Sequence, residues 1–102
     1  MNIFVTLDYE LFLGCKPGTP ENSLIHPMND LCACADKYNA KYIIFVDSAY
    51  LLRLYQLKNK FDQIGIDYEL VSSHILSLHN AGHDIQLHFH PQWIYSEWDA
   101  KN

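Results

Sequence analysis

The sequence predicts an α/β fold made of parallel β/α units, and three observations carry that expectation. Polar and apolar residues alternate over 2–10 and again over 83–90, which is the period of a strand. Between these, residues 41–47 are apolar on both faces, as buried parallel strands tend to be. The segments separating the three runs have helical spacing, and strands alternating with helices imply a parallel sheet with right-handed crossovers. Three strands and about three helices are few for a closed α/β domain. The expectation is therefore a single α/β domain over residues 1–102, a fragment or a truncated relative of a larger α/β barrel.

The elements follow in order. In the first strand Asn2, Phe4, Thr6, Asp8 and Glu10 share one face, and Ile3, Val5, Leu7 and Tyr9 the other, with Tyr9 expected to pack against helices. Residues 11–26 read as a long loop punctuated by Gly14, Pro17, Gly18 and Pro20, and loops of that length are usually functional or mobile. Pro27 suits a first helical position, with Met28, Leu31, Cys32, Ala35 and Tyr38 recurring at helical spacing to about Asn39. After the second strand, Ser48 is a good N-cap for a helix bearing Leu51, Leu54, Leu57 and Phe61. Gly65 reads as a break, and Asp67 as the cap of a third helix carrying Leu70, Val71, Ile75 and Leu78 and ended by Gly82. The third strand places Ile85, Leu87 and Phe89 on one face and Asp84, Gln86, His88 and His90 on the other; Pro91 stops it. The last twelve residues hold Trp93 and Trp98 and show no periodic element.

Composition narrows the function. A chain that is 49% hydrophobic and 19% charged is too apolar for disorder. Seven Lys and Arg against twelve Asp and Glu give a net charge of −5, which argues against a nucleic-acid partner. No basic leader and no apolar run of about 20 residues is visible, so neither secretion nor a membrane partner is expected. Cys15, Cys32 and Cys34 form no zinc-type pair and read as free thiols of a reducing, cytoplasmic compartment.

Ligands of parallel α/β folds gather at the carboxyl ends of the strands. All three expected strand ends here are polar: Asp8 and Glu10, Asp47, and His88 and His90. Residues i and i+2 of a strand point the same way, so two imidazoles and two carboxylates face one region. Such donors suit a zinc site with three protein ligands plus water. Zinc lowers the pKa of its water from about 15.7 to about 7, and an unligated carboxylate can take the proton. The other candidates have plainer readings. Asp47 can cap the following helix, and His83 after Gly82 reads as a hydrogen-bonding structural residue. His74 and His79 fall on a solvated helix side, and His26 beside a capping position. Trp93 and Trp98 either stack on a sugar ring or cover apolar surface.

Two segments resemble a known family. Thr6-Leu7-Asp8-Tyr9-Glu10 is similar to the first motif of the polysaccharide deacetylases (the chitooligosaccharide deacetylase-like, carbohydrate esterase family 4 group). Gly82-His83-Asp84-Ile85-Gln86-Leu87-His88 resembles that family's Gly-His-Glu-Ile-Gly-Asn-His segment. The resemblance covers nearly the whole chain but only the first part of a family domain. It implies a distorted (β/α) barrel with a divalent metal, usually zinc, that removes N- or O-acetyl groups from carbohydrates. Asp8 matches the family's general base. The adjacent acidic metal ligand is replaced by Tyr9, and Glu10 resembles the acidic residue of relatives with a D-x-E form. His88 matches the first metal histidine. The second usually comes four residues later, where Gln92 stands, and His90 is its natural substitute.

The resemblance thus implies Asp8 as catalytic base and His88, His90 and Glu10 as ligands of Zn2+ or another divalent metal, with the roles of Asp8 and Glu10 open to exchange. The family's later motifs would lie beyond Asn102, so the chain alone is expected to bind metal with little activity. The expected partner is a carbohydrate or small-molecule substrate, together with a second copy paired through an open sheet edge. Two other readings stand beside this one. A His-x-His strand end also marks amidohydrolase-like enzymes, and the chain could be a non-catalytic α/β module completed by oligomerisation.

Overall fold

Among the described strands only residues 43–46 are apolar towards both sheet faces, and they form the centre of the fold. The computed structural model describes residues 4–11 and 18–97. In chain order the elements are β1 (Thr6–Tyr9), a π-helical turn (Glu21–Ile25), α1 (His26–Lys37), β2 (Ile43–Asp47), α2 (Ser48–Leu57), α3 (Asp62–Asn80), β3 (Asp84–His88) and a 3₁₀ turn (Pro91–Trp93). The expectations placed on Asn2, Ile3, Gly14, Cys15, Pro17 and Trp98 lie outside the described residues.

The architecture is mixed α/β with an open three-stranded sheet in the order β1-β2-β3. Both pairings are parallel: Leu7 is level with Ile44 and Ile44 with Ile85, while Tyr9, Val46 and Leu87 form the next row. On this face Tyr9, Ile44 and Val46 are buried against Met28, Leu54, Ile64, Val71 and Leu78 of the helices. The opposite face carries Thr6, Asp8, Asp84 and Gln86, all exposed, around a half-buried Ile43 and Phe45. Among the described residues the helices therefore cover one sheet face only. β3 is an edge strand. Ile85, Leu87 and Phe89 share a face as expected, yet only Ile85 packs against the core, and Leu87 and Phe89 remain 78% and 55% exposed.

Three expectations are corrected. The long loop contains the π-helical turn, which runs directly into α1 at His26. The third helix begins at Asp62, five residues before Asp67. Gly65 lies inside it and breaks nothing, since one helical glycine costs only about 1 kcal/mol. Its N–H donates to Phe61 O at 3.1 Å, and an added Cβ would meet Lys58 O at 3.0 Å. Glycine is there for a close approach. Asp67 is a buried mid-helix residue whose carboxylate accepts from the Gln63 amide at 2.8 Å. Burial raises its pKa above the usual carboxylate range, an effect the Gln63 hydrogen bond opposes and the charge of Glu21 reinforces. Finally, Leu31 and Tyr38 of α1 are exposed, whereas Met28 and Ala35 are buried.

Helix ends and buried histidines hold the crossovers. After α3, Gly82 has φ 98°, Gly82 N–H donates to His79 O at 3.0 Å and His83 N–H to Leu78 O at 3.2 Å. This is a Schellman motif with glycine in the left-handed position. Asn39, with φ 53°, closes α1 in the same way. Lys41 Nζ donates to Ala81 O at 2.8 Å, a cation on the negative end of α3. His83 is structural, as expected. It is buried, its Nδ1 accepts from Tyr42 N–H at 3.1 Å, and its Nε2 therefore donates to Cys32 Sγ at 3.6 Å. His74 is not solvated as expected: it bridges Tyr9 Oη at 2.8 Å and Asn29 Oδ1 at 3.1 Å, joining β1, α1 and α3.

Two outcomes are expected. Gly82→Ala forces a side chain into the left-handed region and lowers unfolding free energy by about 1–2 kcal/mol, read as a lower urea midpoint at unchanged slope. Burial also holds the pKa of both His74 and His83 below the ordinary histidine value; at His83 the Lys41 charge adds to this and Asp36 opposes it. Between the depressed folded values and about 6.5 the unfolded chain binds more protons, so stability rises with pH. The contribution is complete above about pH 6.5 and is lost as pH falls below it. Urea midpoints should drop from about pH 7.5 to about pH 5, and drop less in a His74→Gln/His83→Gln variant.

Candidate metal centre

The pleat and one proline place the imidazoles. His88 ends β3, and His90 follows with φ −112° and ψ 99°, still extended. Pro91 disfavours helical geometry in the residue before it, so the two-residue period continues past the strand and both rings face one way. Glu10 follows β1 by one residue, on the pleat face of Asp8. Since Tyr9 is level with Val46, and Asp47 with His88, the parallel register brings the ends of β1 and β3 to one height.

Three donor atoms converge there. His88 Nε2 and His90 Nε2 are 2.9 Å apart, and Glu10 Oε2 is 3.2 Å from His88 Nε2. The same oxygen contacts His90 Nε2, across 80 positions of sequence. The rings meet edge to face with centroids 4.5 Å apart. All three side chains are partly buried, at 34%, 19% and 20% exposure for His88, His90 and Glu10. Two imidazole nitrogens and one carboxylate oxygen therefore face a common region. The three donor atoms all lie within 4.8 Å of one another. This cluster could hold a metal ion.

The neighbouring residues secure the site. Asp47 caps α2, its Oδ1 accepting from Tyr50 N–H at 3.2 Å; Asp47 itself takes the N-cap place expected of Ser48. Ser48, the first residue of α2, donates from Oγ to His88 O at 2.8 Å and ties α2 to the end of β3. Sequence reasoning missed this link, and only the position of Ser48 on the first helical turn hinted at it. Trp93 covers apolar surface: it lies 5.0 Å from the Tyr50 ring and packs on the core. Arg53 Nε donates to Ser96 O at 2.7 Å, and Ser96 Oγ to Trp93 O at 2.8 Å, so the segment after His90 is anchored to α2.

The remaining candidates sort by position. Asp8 is exposed on the open sheet face, two residues before Glu10, and stands outside the three-donor cluster. His26 and His79 are exposed on α1 and α3. Cys32 and Cys34 are free thiols; burial is the main cause that raises the Cys32 pKa, with Asp36 adding to it and Lys41 opposing. His83 lies at the opposite end of β3 from the cluster.

No protein-family model, curated protein or solved structure matches the chain. Among the described residues no helix is long and apolar enough to cross a membrane.

Ser48→Ala should remove one hydrogen bond and leave the His88 carbonyl without that donor, costing about 1 kcal/mol of stability. Amide exchange should then quicken at residues 88–90 while α3 keeps its protection. Equal exchange at both places would show that Ser48 does not hold the strand end.

Proposed function

We propose that Glu10, His88 and His90 bind one divalent cation, zinc first among candidates, and that the chain belongs to a deacetylase-like hydrolase acting on N- or O-acetylated carbohydrate. The observation that supports it is the convergence of Glu10 Oε2, His88 Nε2 and His90 Nε2 at the carboxyl ends of β1 and β3. Two imidazoles with one carboxylate are the donor set that catalytic zinc sites use, leaving a position open for substrate or water. The similarity of residues 6–10 and 82–88 to the polysaccharide deacetylase motifs narrows the substrate to acetylated sugars. On this reading β1, β2 and β3 are the first strands of a larger (β/α) barrel, and the exposed face carrying Asp8 lines its interior.

When bound, the metal supplies a Lewis acid that polarises an acetyl carbonyl and makes water acidic enough to attack near neutral pH. The protein's residues supply the rest. Glu10, His88 and His90 hold the cation, with Ser48 fixing the strand that carries both imidazoles. Asp8, exposed on the same pleat face, accepts a proton at a carboxylate oxygen as general base.

Zinc titration of the purified chain tests this reading. The expected result is one zinc per chain, with added stability of about 2.7 kcal/mol at a hundredfold excess over Kd, and loss of both in His88→Ala/His90→Ala. Acetate release from acetylated chitooligosaccharide, abolished by Asp8→Asn with zinc binding retained, then supports the hydrolase. A wild-type chain that takes up no zinc overturns the reading.

A further inference from the structure

One carboxylate oxygen near this site has no assigned role. Asp47 is 1% exposed, and while its Oδ1 caps α2, its Oδ2 is buried with no hydrogen-bond partner among the described residues. A carboxylate oxygen withdrawn from water and given no donor is unusual, since buried polar groups are nearly always partnered. Its place is informative. Asp47 ends the central strand, its Cα partner is His88, and it follows Val46, which is level with Tyr9. By the pleat it shares a sheet face with Phe45, Asp8, Gln86 and His88. It therefore stands at the same height as Glu10 and His88, on the strand between them, with neighbouring strands about 4.8 Å apart.

Asp47 lies outside the group formed by Glu10, His88 and His90. We propose that Asp47 is a positioning residue of the metal centre. Its Oδ2 accepts a hydrogen bond from a water molecule that enters in the cation's hydration shell, while its Oδ1 holds the start of α2. This rests on the metal-binding reading above. It adds a second carboxylate on the central strand, so that all three strands serve the site. It also explains an aspartate at a position where asparagine or serine would cap the helix equally well. Partners of this outer kind typically change metal affinity by about 10- to 100-fold when removed.

Asp47→Asn separates the two oxygens' roles. Asparagine caps helices as well as aspartate, so the cap at Tyr50 is kept and the metal-free chain should unfold at the wild-type urea midpoint. Zinc affinity, measured by competition with a chromophoric chelator, should fall about 10- to 100-fold at unchanged stoichiometry. Cobalt loaded in place of zinc should show an altered absorption spectrum in the variant. Wild-type zinc affinity and an unchanged cobalt spectrum in Asp47→Asn would overturn the proposal, leaving Asp47 as a helix cap alone. An affinity loss matched by an equal loss of metal-free stability would overturn it too. A wild-type chain that binds no zinc, with His88→Ala no different, is a separate result that removes the metal-binding reading itself.

Discussion

The parallel pairing of the central strand with both its neighbours is the constraint on which the rest depends. β2 is hydrogen-bonded to β1 on one side and to β3 on the other, and Ile44 at its middle is wholly buried. Shifting either pairing by one residue would reverse which face each side chain takes, exposing Tyr9 or Ile85 and turning Glu10 or His88 towards the helices. Burial of the apolar rows therefore fixes the register. The register in turn sets the height at which residues far apart in sequence meet. The contact of Glu10 with His90 is a consequence of hydrophobic packing elsewhere in the sheet.

The two ends of the sheet differ in burial and in polar partners. At the amino ends of β2 and β3, Tyr42 and His83 stack with centroids 5.5 Å apart, His83 meets Cys32, and Lys41 reaches the last turn of α3. His83 and Tyr42 are both hydrogen-bonded there, and burial lowers the imidazole's pKa. At the carboxyl ends, Glu10, His88 and His90 are partly exposed and aimed at one another, and Asp47 has an oxygen with no hydrogen-bond partner among the described residues.

Much of this could be read from particular residues. Residues 43–47 announce a buried strand because β-branched and aromatic residues fill both faces, and Gly82 marks a helix end because only the left-handed position requires it. Gly65 misled because glycine looks the same in a turn as at a close helix contact; the approach to Lys58 O exists only after α2 and α3 pack. Asp67 misled similarly, since a cap and a buried mid-helix acceptor share one residue type and differ in their surroundings. His74 had the spacing of a solvated position, but the hydroxyl it bonds belongs to Tyr9, 65 residues away.

Local periodicity alone set the α/β class, the order of strands and helices, and the common orientation of His88 and His90 ahead of Pro91, because a pleat and a proline act within a few residues. Which carboxylate joins those imidazoles was a matter for the tertiary structure. Asp8 and Glu10 have the same chemistry and the same face, and only the height of β1 against β2 and β3 selects Glu10. The same holds for Asp47, whose burial and whose Oδ2 without a partner among the described residues exist only in the folded chain. Registers between strands are non-local, fixed by the packing of the whole core, and for that reason the composition of the site was decided there.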